Sequence, residues 1–188
     1  MTLTFHANGK IDGINNANFN SSLPSGHVIQ VVETFDDQVT SITSSAGSFT
    51  ATGFTASITP TSASSKILVQ VSTTFYVDND DNTAGVTVYR NGSVDLGGGT
   101  PSGLKPVYFY AGGGANDNQV PINMHHLDSP ATTSAVTYKI TAHARTGTSG
   151  VHRTNYNYTN SGSDDTTVHG ELTGYGSRAT MILMEVSA

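Results

Sequence analysis

The sequence predicts an all-β fold, an antiparallel two-sheet sandwich behind an extended N-terminal arm, and three observations carry that reading. Threonine is the commonest residue at 27 of 188, and valine outnumbers leucine 16 to 8. Such β-branched side chains suit a pleated surface and lose rotamer freedom in a helix. From His27 onward, short apolar runs recur between clusters of Gly, Pro, Asn and Asp, the spacing of strands joined by turns. No segment between them has the helical period of a crossover connection.

Residues 1–26 form the arm. They are rich in Asn, are broken by Gly9, Gly13, Pro24 and Gly26, and carry isolated apolar residues at Leu3, Phe5, Ile11, Ile14, Phe19 and Leu23. Neither a helical nor a strand period holds across them, so the segment has no apolar face of its own to bury. The expectation is an arm ordered by a partner, with Phe5, Ile11, Ile14 and Phe19 as its anchors, followed by a sandwich domain over residues 27–188.

Within the domain, the run His27–Glu33 reads as a strand bounded by Pro-Ser-Gly before it and Asp-Asp after it. Further strands are expected at 47–58 (one strand bent at Gly53, or two), 66–77, 85–90, 106–110, 120–127, 135–144, 151–158 and 178–186. The clearest alternation lies at 66–75, where Ile67, Val69, Val71 and Thr73 share one face, which should be buried. Asn91-Gly92 predicts a type I′ turn that sends the chain straight back after Arg90. Pro60 and Pro130 each stop a strand by removing a backbone donor. Eight to ten strands without a crossover helix fit a jelly-roll-like sandwich. An immunoglobulin-like sandwich is less favoured, because the chain has neither Cys nor Trp.

Composition excludes several functions. Eight basic against 14 acidic residues give a net charge of −6, with no basic cluster to neutralise a phosphate backbone, so no nucleic-acid partner is expected. The absence of Cys removes disulfides, thiolate metal sites and cysteine nucleophiles together. The N-terminus lacks a basic and apolar leader, and the longest apolar runs are far short of a membrane span, so no membrane association is expected. The few large apolar residues imply a thin core, which oligomerisation would supplement.

Catalytic motifs fail on context. Gly174-Tyr175-Gly176-Ser177-Arg178-Ala179 matches G-x-G-x-x-A but precedes a strand, whereas dinucleotide binding requires it to open a helix. Asp78-Asn79-Asp80-Asp81-Asn82 resembles the start of a calcium loop, yet Thr83 stands where Gly is needed and Tyr89 where a bidentate Glu is needed. It reads as a solvated loop. Of the adjacent pair His125-His126, only one can face the core of a strand. These two, with His143, His152 and His169, read as hydrogen-bonded strand histidines rather than a metal ring. No catalytic residue, cofactor or metal is expected, and the protein reads as a non-enzyme.

Three segments then carry a resemblance, namely Gly26-His27-Val28-Ile29-Gln30-Val31-Val32, I-T-P-T-S-A-S-S-K-I-L-V at 58–69, and Leu127-Asp128-Ser129-Pro130 running into T-T-S-A-V-T-Y-K at 132–139. With the closing Met181-Ile182-Leu183-Met184-Glu185-Val186, they resemble a β-rich domain of small virion proteins and fibre tips of tailed bacteriophages, including marine and cyanobacterial ones. The resemblance implies a trimeric virion surface protein, made in the host cytoplasm. Its expected partners are its own copies and a major capsid protein or other virion protein. A capsid decoration or cement role is favoured over a tail-fibre tip, since only 26 residues precede the first strand and none form heptads for a shaft. A fibre tip would add a host surface glycan as partner, and a carbohydrate-binding or carbohydrate-active module stands as the outside alternative.

Overall fold

A computed structural model describes residues 4–5, 11–12, 24–36, 40–44, 49–77, 82–92, 94–96, 107–111, 118–144, 150–154 and 178–188. Among the described residues there are only strands: β1 (Thr4–Phe5), β2 (Ile11–Asp12), β3 (Val28–Asp36), β4 (Thr40–Ser44), β5 (Thr50–Ile58), β6 (Lys66–Val77) and β7 (Asn82–Arg90). Then come β8 (Val94–Asp95), β9 (Val107–Ala111), β10 (Asn118–Asp128), β11 (Val136–Ala144), β12 (Gly150–Thr154) and β13 (Ala179–Val186).

The pairings nest. β3 pairs β13, β5 pairs β11, β6 pairs β10 and β7 pairs β9, all antiparallel, so the chain is one long hairpin of concentric strand pairs. β13 also pairs β6, and β11 also pairs β7, which rolls the hairpin into two sheets. One sheet runs β3–β13–β6–β10 and the other β5–β11–β7–β9. A hairpin rolled in this way is the jelly roll, and the expected all-β sandwich is the fold. β12 extends the first sheet along the far end of β6 and pairs β4, while β8 pairs the end of β7.

The core lies between the sheets. Ile67, Val69, Val71 and Thr73 are buried as the alternation required, and Phe75 continues their face. Met181 and Leu183 of β13 and Ile122 and Met124 of β10 join them from the same sheet, facing Phe54, Val86, Val88, Tyr138 and Ile140 from the other. Each large apolar side chain buried in this way contributes about 1.5–3 kcal/mol relative to exposure.

Several local expectations need adjustment. The segment at 47–58 is one strand that begins at Thr50, and Gly53 adopts φ +91° within it. Between the pairs Lys139↔Thr55 and Thr141↔Ala51, β5 advances four residues while β11 advances two, so β5 bulges there. Thr52 bridges the bulge, its hydroxyl donating to Ile140 O at 3.2 Å and accepting from Phe54 N–H at 3.3 Å. Asn91 and Gly92 both have positive φ, as a type I′ turn requires, but the ladder closes at Arg90↔Val94, one residue later than a two-residue turn would place it. β4 and β8 were not anticipated, because Thr-Ser-Ile-Thr-Ser and Val-Asp are too short or too polar to show a period. The arm also holds an unexpected feature, since Thr4–Phe5 pairs with Ile11–Asp12 as a separate two-stranded sheet. Residues 155–158, the last part of the expected strand at 151–158, lie outside the described residues.

Candidate interaction surface

Ladder registers across the first sheet define which side chains share a row. On its core face, Gln30, Glu185, Ile67 and Asp128 form one row across β3, β13, β6 and β10. On the outer face, the adjacent row is Val31, Met184, Leu68 and Leu127. Polarity at this end of the sheet is therefore inverted on three of the four strands, with polar groups inside and apolar groups outside. Val31 is 57% exposed and Leu127 47%, while Met184 and Leu68 are half-buried. Val28, Val186 and Ile182 extend the apolar band. Phe35, 57% exposed, lies further along β3 with the Arg178 guanidinium 4.5 Å over its ring.

The buried polar row is fully engaged. Glu185 has no exposed surface, and its carboxylate accepts from Gln30 Nε2 at 2.6 Å, Thr61 N–H at 2.8 Å and Thr61 Oγ1 at 2.7 Å, with the Ser65 hydroxyl as a further donor. Burial alone pushes this carboxyl up, but hydrogen bonds from Gln30, Ser65 and Thr61 outweigh it and hold the group below its ordinary range. Gln30 Nε2 also donates to Thr59 O at 2.7 Å, so Glu185 ties β3, β13 and the loop between β5 and β6 into one clamp. Asp128 makes a second clamp between the sheets. Arg90 Nη1 lies 2.9 Å from each of its oxygens, and the buried Tyr138 hydroxyl donates to Oδ2 at 2.8 Å. Burial, that hydrogen bond and the Asp128 charge push the Tyr138 hydroxyl far above its ordinary value, against the opposing Arg90 charge.

These clamps explain the segments that carried the resemblance. Gln30, Thr61, Ser65 and Glu185 come from three of them and meet at the Glu185 carboxylate, with Thr59 O accepting from Gln30, while Asp128 and Tyr138 come from the fourth. Neither clamp was anticipated. The available signal was phase, because Glu185 follows Met181 and Leu183 at positions that face the core.

Next to the apolar row lies an open groove of ≈ 270 Å³ lined by Gln70, Ser72, Asn123, His125, Thr180 and Ile182, with Val71 and Met124. His125 points outward into it, and His126 takes the core side at the sheet's end, as the alternation required. Of the arm anchors, Phe5 and Ile11 are opposed in the β1–β2 ladder, whereas Ile14 and Phe19 lie outside the described residues. The acidic loop at 78–81, His169 and the glycine motif at 174–177 lie outside them as well. Among the described residues, no group of three His, Asp or Glu side chains is placed to hold a metal ion.

No family model matches the chain, and no curated protein matches its sequence. Its structure is similar to that of the infectious bursal disease virus Gx strain, with a TM-score of 0.38 and 18% identity over 87% of this chain and 38% of that one. It is also similar to the VP2 subviral particle of infectious bursal disease virus, with a TM-score of 0.35 and 16% identity over 87% of this chain and 39% of that one. The chain spans less than two-fifths of the length of either. The jelly-roll assignment rests on the nested strand pairing described above.

Proposed function

We propose that this protein is a non-enzymatic structural component of a virus particle, a trimeric decoration or cement protein on the capsid surface held to its neighbours there by the N-terminal arm. The observation that carries the reading is the outer row Val31–Met184–Leu68–Leu127, an apolar band that an isolated sandwich gains nothing by exposing. The resemblance of four segments to tailed-phage virion proteins supports the same role. A hydrolytic role for the row holding Glu185 and Asp128 is disfavoured, since both carboxylates serve internal donors. Mass spectrometry of purified particles of the encoding virus tests the proposal. The chain should be present at a copy number that is a multiple of three, and its absence from particles would overturn the role.

The groove supports a second reading, a fibre tip that binds a host glycan. Gln70, Ser72, Asn123 and Thr180 are neutral donors and acceptors, with His125 and the apolar Ile182 beside them, chemistry that suits a neutral sugar. Specific binding of a neutral oligosaccharide, lost in Asn123→Ala, would favour this reading over decoration.

A further inference from the structure

The sheet edges differ in how they are protected. An edge strand presents unpaired backbone groups that template pairing with another chain, and proteins blunt it with Pro, bulges, charges or short length. Among the described residues, β10 is an outer strand and carries Pro121; β5 is another and bulges at Gly53; β9 is five residues long. β4, also five residues, and β8, of two, end their sheets as short strands. β3, the other outer strand of the two sheets, is nine residues long and has a one-residue bulge at Ile29, after which Gln30–Phe35 runs in unbroken register against β13. That stretch holds no Pro, Gly or Lys, has Glu33 as its one charge, and exposes Val31 and Phe35.

We propose that the free edge of β3 over Gln30–Phe35 receives the N-terminal segment of a second copy of this chain as an added strand. The inference rests on the arm reading above and names the surface that takes the arm. The arm already has strand conformation at Thr4–Phe5 and Ile11–Asp12, yet its own sheet has only two residue pairs, and a lone two-stranded ladder is marginal in water. Pro24 O accepts from Ser187 Oγ at 3.0 Å, Gly26 N–H donates to Ser187 O at 2.9 Å, and Ser187 N–H donates to His27 O at 3.0 Å. These bonds continue the β3–β13 line beyond Val28, and β1 and β2 pair with each other in a sheet of their own, so among the described residues the arm does not pair with the edge of its own β3. Phe5 and Ile11 supply apolar side chains to lie beside Val31 and Phe35, while main-chain hydrogen bonds extend the sheet. Each copy gives an arm and receives one, a head-to-tail contact that a three-fold ring closes.

Native mass spectrometry and sedimentation velocity at micromolar concentration test this on three full-length chains: the parent, Phe5→Pro/Ile11→Pro and Val31→Lys. Proline removes the donors of the arm, and lysine blunts the edge at a position already exposed, so both variants should keep the parental β circular dichroism and a cooperative melt. The parent should be a trimer, and both variants should dissociate with affinity reduced about a hundredfold or more. A peptide of residues 1–23 should bind Phe5→Pro/Ile11→Pro but not Val31→Lys. A monomeric parent, or parental assembly in either variant, would overturn the proposal. Assembly lost only in Val31→Lys would assign the edge to β3-to-β3 pairing instead. Absence of the chain from virus particles would leave a trimer of this kind intact, so failure of the virion reading is separately visible.

Discussion

Replacing Glu185 with Gln probes the clamp at the inverted end of the sheet. The substitution keeps volume and replaces one carboxylate oxygen by an amide nitrogen, which must then face one of the donors from Gln30, Thr61 or Ser65. The Gln30 amide cannot turn over without loss, because Nε2 also donates to Thr59 O. One buried donor is left unpaired at a cost of about 1–3 kcal/mol, and the surviving hydrogen bonds weaken from charge-assisted to neutral. Relief of the buried charge offsets part of this. The expected net loss is about 2–3 kcal/mol near neutral pH, or roughly 4–12 °C in melting temperature for a domain of this size. The folded-state pKa of Glu185 is lowered, so its contribution is fully present above the unfolded carboxylate value and is lost as pH falls through the folded value. Urea unfolding of both proteins at about pH 7 and about pH 3 reads both effects. The difference should shrink at the lower pH. A loss below about 0.5 kcal/mol at neutral pH, or one that does not change with pH, would refute the clamp argument.

Other perturbations read other parts of the structure. Tyr138→Phe should cost about 1.5–3 kcal/mol in urea unfolding, since it removes from a fully buried position a hydrogen bond to Asp128, the partner of Arg90 in an ion pair. Gly53→Ala should cost about 1–2 kcal/mol in the same measurement although its Cβ would meet nothing within 4 Å, because φ +91° itself is strained for an L side chain. Leu127→Ser should change stability by less than about 0.5 kcal/mol and yet weaken particle binding in a co-sedimentation assay, since its side chain is half exposed on the outer row. Circular dichroism of the parent should show less than about one-fifth helix.

Much of the fold was legible because strands with one buried face write their period into the sequence. β6 was read at its observed limits, and Ile67, Val69, Val71 and Thr73 fell on the buried face. Nested pairing was not legible, since β6 finds β10 more than forty residues away and no local signal names that partner. β4, β8 and the β1–β2 ladder were missed for a related reason, as two to five polar or isolated residues carry no period. For the surface, the sequence drew attention to Phe5 and Ile11 but not to Val31, Met184, Leu68 and Leu127. Those four come from four strands and become a band only when the ladders align them.

The alternation itself holds the remaining argument. In a half-buried strand, moving one residue along exchanges core for solvent, so Gln30-Val31, Met184-Glu185 and Leu127-Asp128 each place the polar member inside and the apolar member outside. A slip of one residue would correct all three pairs at once, yet it would expose Val69, Val71, Met181, Leu183, Ile122 and Met124, which lie further along the same strands. The register is therefore set by the central rows, and the end row is held against its own preference by the hydrogen bonds to Glu185 and Asp128. A lone domain would be more stable with apolar groups inside at this end and polar groups outside. The inversion makes sense when the outer row is itself buried by another protein, which is the physical content of the assembly role proposed for this face.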